Sequence, residues 1–243
     1  MSGVFQNNVR NLFLLLWDEF KGYTKSKAII VMWVGMPLII ILMHFLTPTQ
    51  SEFPVTAFSG VLIAVIGGVL ASVILGTTMT NEITKNVYAL FLIRPVKRWQ
   101  IILSKYLAMI LTLIIASFLS FGIGLIIDSI KFTEEEITIL FGGFPNLINL
   151  ALEDLLIAIS AMSVACVIGL FIGMIAKSVA VSAILSFYLG QQISTLALFP
   201  RLLEATSSLP ENLNPLYLAL SIGSAATVVI LTLAIFIFHR KQF

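Results

Sequence analysis

One connection between two long apolar segments gathers residues that suit protein binding and the transmission of force. Glu82 opens it and Pro95 follows 13 residues later. A short amphipathic helix near 87–93 should end before Pro95, because the residue preceding a proline disfavours helical backbone angles. Residues 82–98 therefore form a stiff unit joined to both apolar segments. Its acidic, basic and turn-forming residues are Glu82, Arg94, Pro95, Val96, Lys97 and Arg98, and Lys177 lies in a second short connection.

Catalytic, nucleotide and metal sites have little support in the sequence. Ala176-Lys177-Ser178 matches only the tail of the phosphate-binding pattern G-x-x-x-x-G-K-[ST]. His44 and His239 are predicted on opposite sides of a bilayer, so they cannot share a metal ion. No histidine follows Glu134–Glu136, as a metalloprotease would require. We expect no enzyme activity and no metal or cofactor bound by this chain.

Six long and nearly uncharged segments position these residues. Each holds roughly 20 or more residues, enough for a helix to cross a hydrocarbon core of about 30 Å. The chain is 59% hydrophobic and 11% charged, whereas soluble domains carry about 25% charged residues. We predict an all-α integral membrane protein with one transmembrane domain, residues 1–243, whose spans lie near 28–47, 56–80, 101–127, 155–176, 179–199 and 219–238.

The charges alternate from one connection to the next. With the N-terminus inside, the inside segments carry 12 of the 14 basic residues and 3 of the 12 acidic ones. Such an excess of Lys and Arg sets the orientation of a membrane protein. Both termini and residues 82–98 are therefore predicted in the cytoplasm, with the chain in the plasma membrane. The near-neutral total charge gives no indication of nucleic-acid binding.

Two further patterns concern helix surfaces. Apolar residues recur at helical spacing over residues 4–23, which predicts a helix in the membrane interface anchored by Trp17 and Tyr23. The second span carries small residues at four-residue steps, and such a face lets another helix approach closely in lipid. The approaching helix belongs either to this chain or to a second subunit. This small-residue stripe consists of Gly60, Ala64, Gly68, Ser72 and Gly76.

Polar residues inside the predicted spans are sparse. Gln191 and Gln192 lie ~21 Å beyond Lys177 along the fifth span, at ~1.5 Å per residue, and are candidates for a translocation path. No charged residue is expected at mid-membrane, where proton relays and ion pathways usually have one. This pattern disfavours a proton-coupled antiporter and favours an amphipathic or lipid-like cargo.

The connection at 82–98 resembles the corresponding region of the type-2 export family of ABC transporter permeases. In that family a glutamate ends the second span, a Pro-Val-x-Arg turn follows 13 residues later, and an isoleucine and a lysine open the third. This chain has Glu82, Pro95-Val96-Lys97-Arg98, Ile101 and Lys105 in that order. Asn86-Val87 stands where the family usually has Gly-Thr. The interfacial helix, the six spans and the basic C-terminal end also resemble the family.

The resemblance implies a permease half that pairs with a second copy or a paralogue around a central path. Separate cytosolic ABC ATPase subunits would bind ATP and Mg²⁺ and press on residues 82–98, with the turn at 176–178 as a second contact. The residues alone leave other functions open: a non-transporting anchor, sensor or assembly scaffold, or a secondary transporter. The last is disfavoured, because inverted-repeat and broken-helix signals are missing.

We predict that Lys97 and Glu135 lie on opposite sides of the membrane, because the charge asymmetry orients the spans. In a Cys166→Ser background, Glu135→Cys should react with an impermeant thiol reagent added to intact cells. Lys97→Cys should react only after the membrane has been permeabilised. Labelling of both cysteines in intact cells would contradict the six-span arrangement.

Overall fold

The computed structural model describes residues 2–46, 55–85, 97–205 and 214–240, and every regular element within them is helical. A π-helical turn, Ile63–Gly67, joins the third and fourth α-helices and interrupts the register of the small-residue stripe. The α-helices are α1 (Ser2–Thr24), α2 (Lys27–Leu46), α3 (Val55–Leu62), α4 (Gly68–Thr84), α5 (Arg98–Lys131), α6 (Glu134–Phe141), α7 (Phe144–Ile175), α8 (Val179–Ala205) and α9 (Pro215–Arg240).

Within the described residues, five helical segments are long and apolar enough to cross a membrane: Lys27–Leu46, Ser59–Thr84, Arg98–Lys131, Phe144–Ile175 and Pro215–Arg240. They correspond to five of the six predicted spans. The remaining span, 179–199, falls in α8, a helix of 27 residues that packs against α4 and α7. The count of six spans therefore stays a prediction. The predicted coupling helix near 87–93 lies outside the described residues.

α5 and α7 both extend beyond the predicted spans 101–127 and 155–176. α5 continues to Lys131 and α7 begins at Phe144, so most of the interval 128–154 belongs to these two helices. A short helix, α6, lies between them and ends at Gly142, whose φ of 73° places it in the left-handed region. Glycine adopts this conformation without a steric penalty, which explains the sharp turn at that position.

α8 is also longer than expected. The predicted span ends at residue 199, just before Pro200, yet α8 continues through Pro200 to Ala205. A proline inside a helix removes one backbone hydrogen bond but does not forbid helical angles, and membrane helices tolerate it where neighbouring groups satisfy the freed carbonyl.

α7 lies at the centre of the bundle. Buried residues make up 78% of its most apolar stretch, compared with 28% in α2 and 17% in α9. α4, α8 and α9 pack around α7, while α1 and α2 pack on α5. Because the peripheral helices expose apolar side chains, lipid is the solvent that suits their outer surfaces. This arrangement brings α1, the end of α4 and the start of α5 together at one end of the bundle.

The small-residue stripe is buried within the chain. Two glycines of α7 lie directly against the backbone of α4. A methyl group added at Gly173 would stand 2.6 Å from the carbonyl oxygen of Gly76, and one added at Gly169 would stand 2.7 Å from Cα of Ser72. The Ser72 hydroxyl donates a hydrogen bond of 2.9 Å to the carbonyl oxygen of Ser186 in α8. The helix that covers the stripe thus belongs to this chain.

We predict that Gly169→Ala destabilises the protein by ~1–3 kcal/mol, because the added methyl group meets backbone atoms that cannot rotate away. Gly122→Ala in α5 is the matched control, since no heavy atom lies within 4 Å of the position that its methyl group would take. Thermal unfolding in detergent should show a lower midpoint for Gly169→Ala and an equal or higher one for Gly122→Ala. Equal midpoints for the two variants would contradict close packing at Gly169.

Candidate coupling site

The ammonium of Lys105 lies between two carboxylates at the end of the bundle where residues 82–98 begin and end. Its Nζ donates to Oε1 of Glu19 at 2.7 Å and to Oε1 of Glu82 at 2.8 Å. The Lys105 side chain is 2% exposed, and each glutamate side chain is 20% exposed. We call these three residues the ion triad. It joins α1, the last turn of α4 and the second turn of α5.

Helix geometry explains how the ion triad forms. Glu19 lies four residues from both Leu15 and Tyr23, so the three share the face of α1 that packs against the bundle. α4 and α5 run antiparallel, which places Glu82 at the end of one helix beside Lys105 near the start of the other. Lysine is rarely buried unless its charge is paired, and the two carboxylates supply that pairing here.

The ion triad carries one more negative than positive charge, and it is shielded from solvent. Burial raises the pKa of the Glu19 carboxyl, although the neighbouring Lys105 acts in the opposite direction. Tyr23 lies next to the triad, and its hydroxyl has no hydrogen-bond partner among the described residues. Burial and the charges of Glu19 and Glu82 together raise the pKa of Tyr23 well above its ordinary value. Tyr23 is therefore a neutral side chain of the site.

The two described residues at the end of the connection have different environments. The Lys97 side chain is exposed, and its backbone N–H donates to Oε1 of Gln100 at 2.9 Å, which holds the start of α5. Arg98 is half-buried and donates from Nη1 to the carbonyl oxygen of His239 at 3.2 Å. Arg98 thus ties α5 to the last turn of α9. Arg94, Pro95 and Val96 lie outside the described residues.

A second buried carboxylate joins the opposite end of α5 to the start of α3. The carboxylate of Asp128 in α5 accepts hydrogen bonds from the backbone N–H of Val55 at 2.8 Å and of Thr56 at 2.9 Å. It also accepts one from the Thr56 hydroxyl at 2.6 Å. An anion at a helix N-terminus satisfies unpaired donors and is favoured by the helix dipole. Asp128 therefore caps α3 from a different helix.

The other candidate residues lie apart from the ion triad. Lys177 is exposed in the turn between α7 and α8. Gln191 is half-buried and Gln192 exposed, and both lie farther along α8. The small-residue stripe begins in α3, where Gly60 lies against Asp154 of α7, and Ser72 and Gly76 line the contact of α4 with α7 and α8. In the part of the chain that the structure describes, no three His, Cys, Asp or Glu side chains come together as a metal site.

Neither Glu19 nor Asp128 stands out in the sequence as a member of a site. For Glu19 the available signal was an acidic residue on the inward face of an amphipathic helix. For Asp128 the signal was a missing cap. Pro54, the residue before Val55, has no side-chain acceptor to cap α3, so a distant residue must supply one. Neither signal names the partner residue, because the partners come from helices far away in the chain.

We predict that Lys105→Met destabilises the protein by about 3–5 kcal/mol at pH 8, since it leaves two buried carboxylates facing each other. The pKa of Glu19 should then rise further. A carboxyl with a raised folded-state pKa binds more protons when folded, so stability increases as the pH falls through that pKa. The difference in thermal unfolding midpoint between wild type and Lys105→Met should therefore shrink from pH 8 to pH 5.

The exposed Lys177 provides the control for this comparison. Lys177→Met also removes one positive charge, and its unfolding midpoint should remain close to that of the wild type at both pH values. A Lys105→Met variant as stable as Lys177→Met at pH 8 would show that the ion triad does not support the fold.

Comparison of the sequence with known families identifies the family of this chain. A search of curated proteins found no match to the chain. The sequence model of the family described as ABC-2 family transporter protein matches residues 15–192, which is most of the chain. The matched range includes Glu19, Glu82 and Lys105. The chain therefore belongs to the ABC-2 transporter family and is a multi-pass membrane permease of an ABC transporter.

Proposed function

We propose that this permease is one half of an ATP-driven exporter, that it pairs with a second copy or a paralogue, and that separate ABC ATPase subunits drive it. The ATPase subunits bind ATP and Mg²⁺ in the cytosol and contact residues 82–98. The orientation in this proposal is the one that the charge asymmetry favours, with both termini on the cytoplasmic side of the plasma membrane.

The observation that carries this proposal is the simultaneous bonding of Lys105 to Glu82 and Glu19. Glu82 lies at the beginning of the connection. Lys105 lies seven residues beyond its end, which is about two helical turns. A displacement of residues 82–98 therefore acts on α4 and α5 together, and through Glu19 on α1. A connection that served only to orient the chain would require basic residues but no buried ion triad.

Lys97 and Arg98 have different environments, and these suit them to different roles. Exposed Lys97 is available to an acidic surface of an ATPase subunit, and Lys177 offers a second exposed cation in the turn between α7 and α8. Arg98 instead supports the permease itself through the carbonyl oxygen of His239. We therefore assign docking to Lys97 and Lys177, and a positioning role to Arg98.

The translocation path in this proposal runs along α8. Gln192 is exposed, and the neighbouring Tyr188 has 61% of its surface exposed. A polar amide beside an exposed aromatic ring suits a cargo that has both polar and apolar parts. The second copy or paralogue supplies the opposite wall of the path.

We predict that affinity purification of the tagged permease from native membranes recovers an ABC ATPase subunit in stoichiometric amount. Lys97→Glu should reduce the recovered ATPase several-fold, because a docking cation becomes an anion. Lys131→Glu makes the same change at the opposite end of α5 and should leave the recovery unchanged. Equal recovery with both variants would contradict docking at Lys97, and a permease purified without any ATPase would favour an anchor or scaffold.

A further inference from the structure

Tyr23 carries a buried hydroxyl that the ion triad leaves without a partner. Its side chain is 6% exposed, and its Oη atom has no hydrogen bond among the described residues. Buried hydroxyl groups are usually bonded, and one that is not lowers the stability of the folded protein. A serine in a helix can turn its hydroxyl onto a carbonyl of the same helix. The hydroxyl of Tyr23 lies at the far end of its ring, so its partner has to be another side chain.

The acceptor that suits this hydroxyl is the carboxylate of Glu19. Side chains four residues apart share a helix face and lean toward the N-terminus, so the Tyr23 ring is directed toward the turn that carries Glu19. Burial, then the charge of Glu19 and then that of Glu82 raise the pKa of Tyr23. A carboxylate can accept about four hydrogen bonds, and Lys105 donates one to Glu19 at 2.7 Å. Glu19 therefore has capacity for a further donor.

The connectivity of the ion triad determines which of its two bonds is lost more easily. Residues 82–98 join α4 to α5, so a displacement of this connection moves Glu82 and Lys105 together. Glu19 lies on α1, which is held to this pair by packing and by the bond to Lys105. A movement of α4 and α5 against α1 thus stretches the bond between Lys105 and Glu19. Its loss would leave a shielded carboxylate unpaired, which is costly.

We propose that Tyr23 is a positioning residue whose hydroxyl binds the Glu19 carboxylate when Lys105 moves away from it. This inference rests on the proposed function, because the ATPase subunits supply the displacement. Glu19 then has a donor in both arrangements of the helices, Lys105 in the described one and Tyr23 in the displaced one. The hydroxyl lowers the free energy of the displaced arrangement relative to the described one.

A double-mutant cycle on the full chain in detergent at pH 8 tests this exchange, with Lys105→Met reproducing the loss of Lys105 from Glu19. In the wild type, Tyr23→Phe removes an unpaired hydroxyl, so the thermal unfolding midpoint should stay equal or rise by up to about 2 °C. In the Lys105→Met background, the same change removes the donor to Glu19 and should lower the midpoint by about 2–6 °C.

Tyr217→Phe is the matched control for this cycle. It removes a hydroxyl from a side chain that is 70% exposed, so the midpoint should remain unchanged in both backgrounds. If Tyr23→Phe had the same effect in both backgrounds, its hydroxyl would have no role that depends on Lys105, and the proposal would be overturned.

A second measurement uses Tyr23→Phe alone in the complex with its ATPase subunits, and it does not depend on whether Lys105→Met folds. The midpoint is compared without nucleotide and after trapping with ATP and vanadate. Tyr23→Phe should lower the midpoint of the trapped complex by about 2–6 °C and should not lower that of the nucleotide-free complex. Equal effects in the two states would overturn the proposal.

The two measurements separate this inference from the proposed function. A permease that purifies without an ATPase subunit would count against the proposed function. The cycle with Lys105→Met needs neither ATP nor cargo, so it would still decide whether Tyr23 replaces Lys105 at Glu19.

Discussion

The ammonium of Lys105, held between Glu19 and Glu82, is the interaction on which the arrangement of the helices depends. A buried lysine is costly unless carboxylates stay close to it, so α1, α4 and α5 must remain together at this end of the bundle. The same requirement places the start and the end of residues 82–98 beside each other. The two helices at the ends of the connection are thereby joined to each other and to α1 by one ion triad.

Asp128 imposes a matching constraint at the far end of α5. Lys105 and Asp128 are separated by ~35 Å along the helix, at ~1.5 Å per residue, which is close to the thickness of a bilayer core. Hydrogen bonds to Val55 and Thr56 fasten the start of α3 there, so the second and third spans are joined near both membrane surfaces. Between these two ends, α4 approaches α7 closely because glycines of α7 lie against its backbone, and no charged group is needed there.

These constraints suit a permease whose energy source lies on other subunits. A force applied at residues 82–98 meets a three-helix unit that is held by charge at one end and capped at the other. Its contact with α7 and α8 is made by glycine and serine residues, which lack large interlocking side chains. The family match gives this mechanical arrangement its context, because ABC-2 permeases associate with ABC ATPase subunits.

The sequence by itself determined the apolar helices, the presence of a helix at the N-terminal end and the family. Each of these depends on composition or spacing within one segment, so each could be found without knowing what lies next to that segment. Glu82 and Lys105 stood out in the same way, as members of a local motif.

The tertiary structure decided which residues meet. It paired Lys105 with Glu19 as well as Glu82, directed Asp128 to the start of α3, covered the small-residue stripe with α7 and α8, and turned Arg98 toward α9. It also carried α8 through Pro200, where local propensity alone predicted an end. These outcomes depend on contacts between residues far apart in the chain, and such contacts leave no periodic pattern in a single sequence.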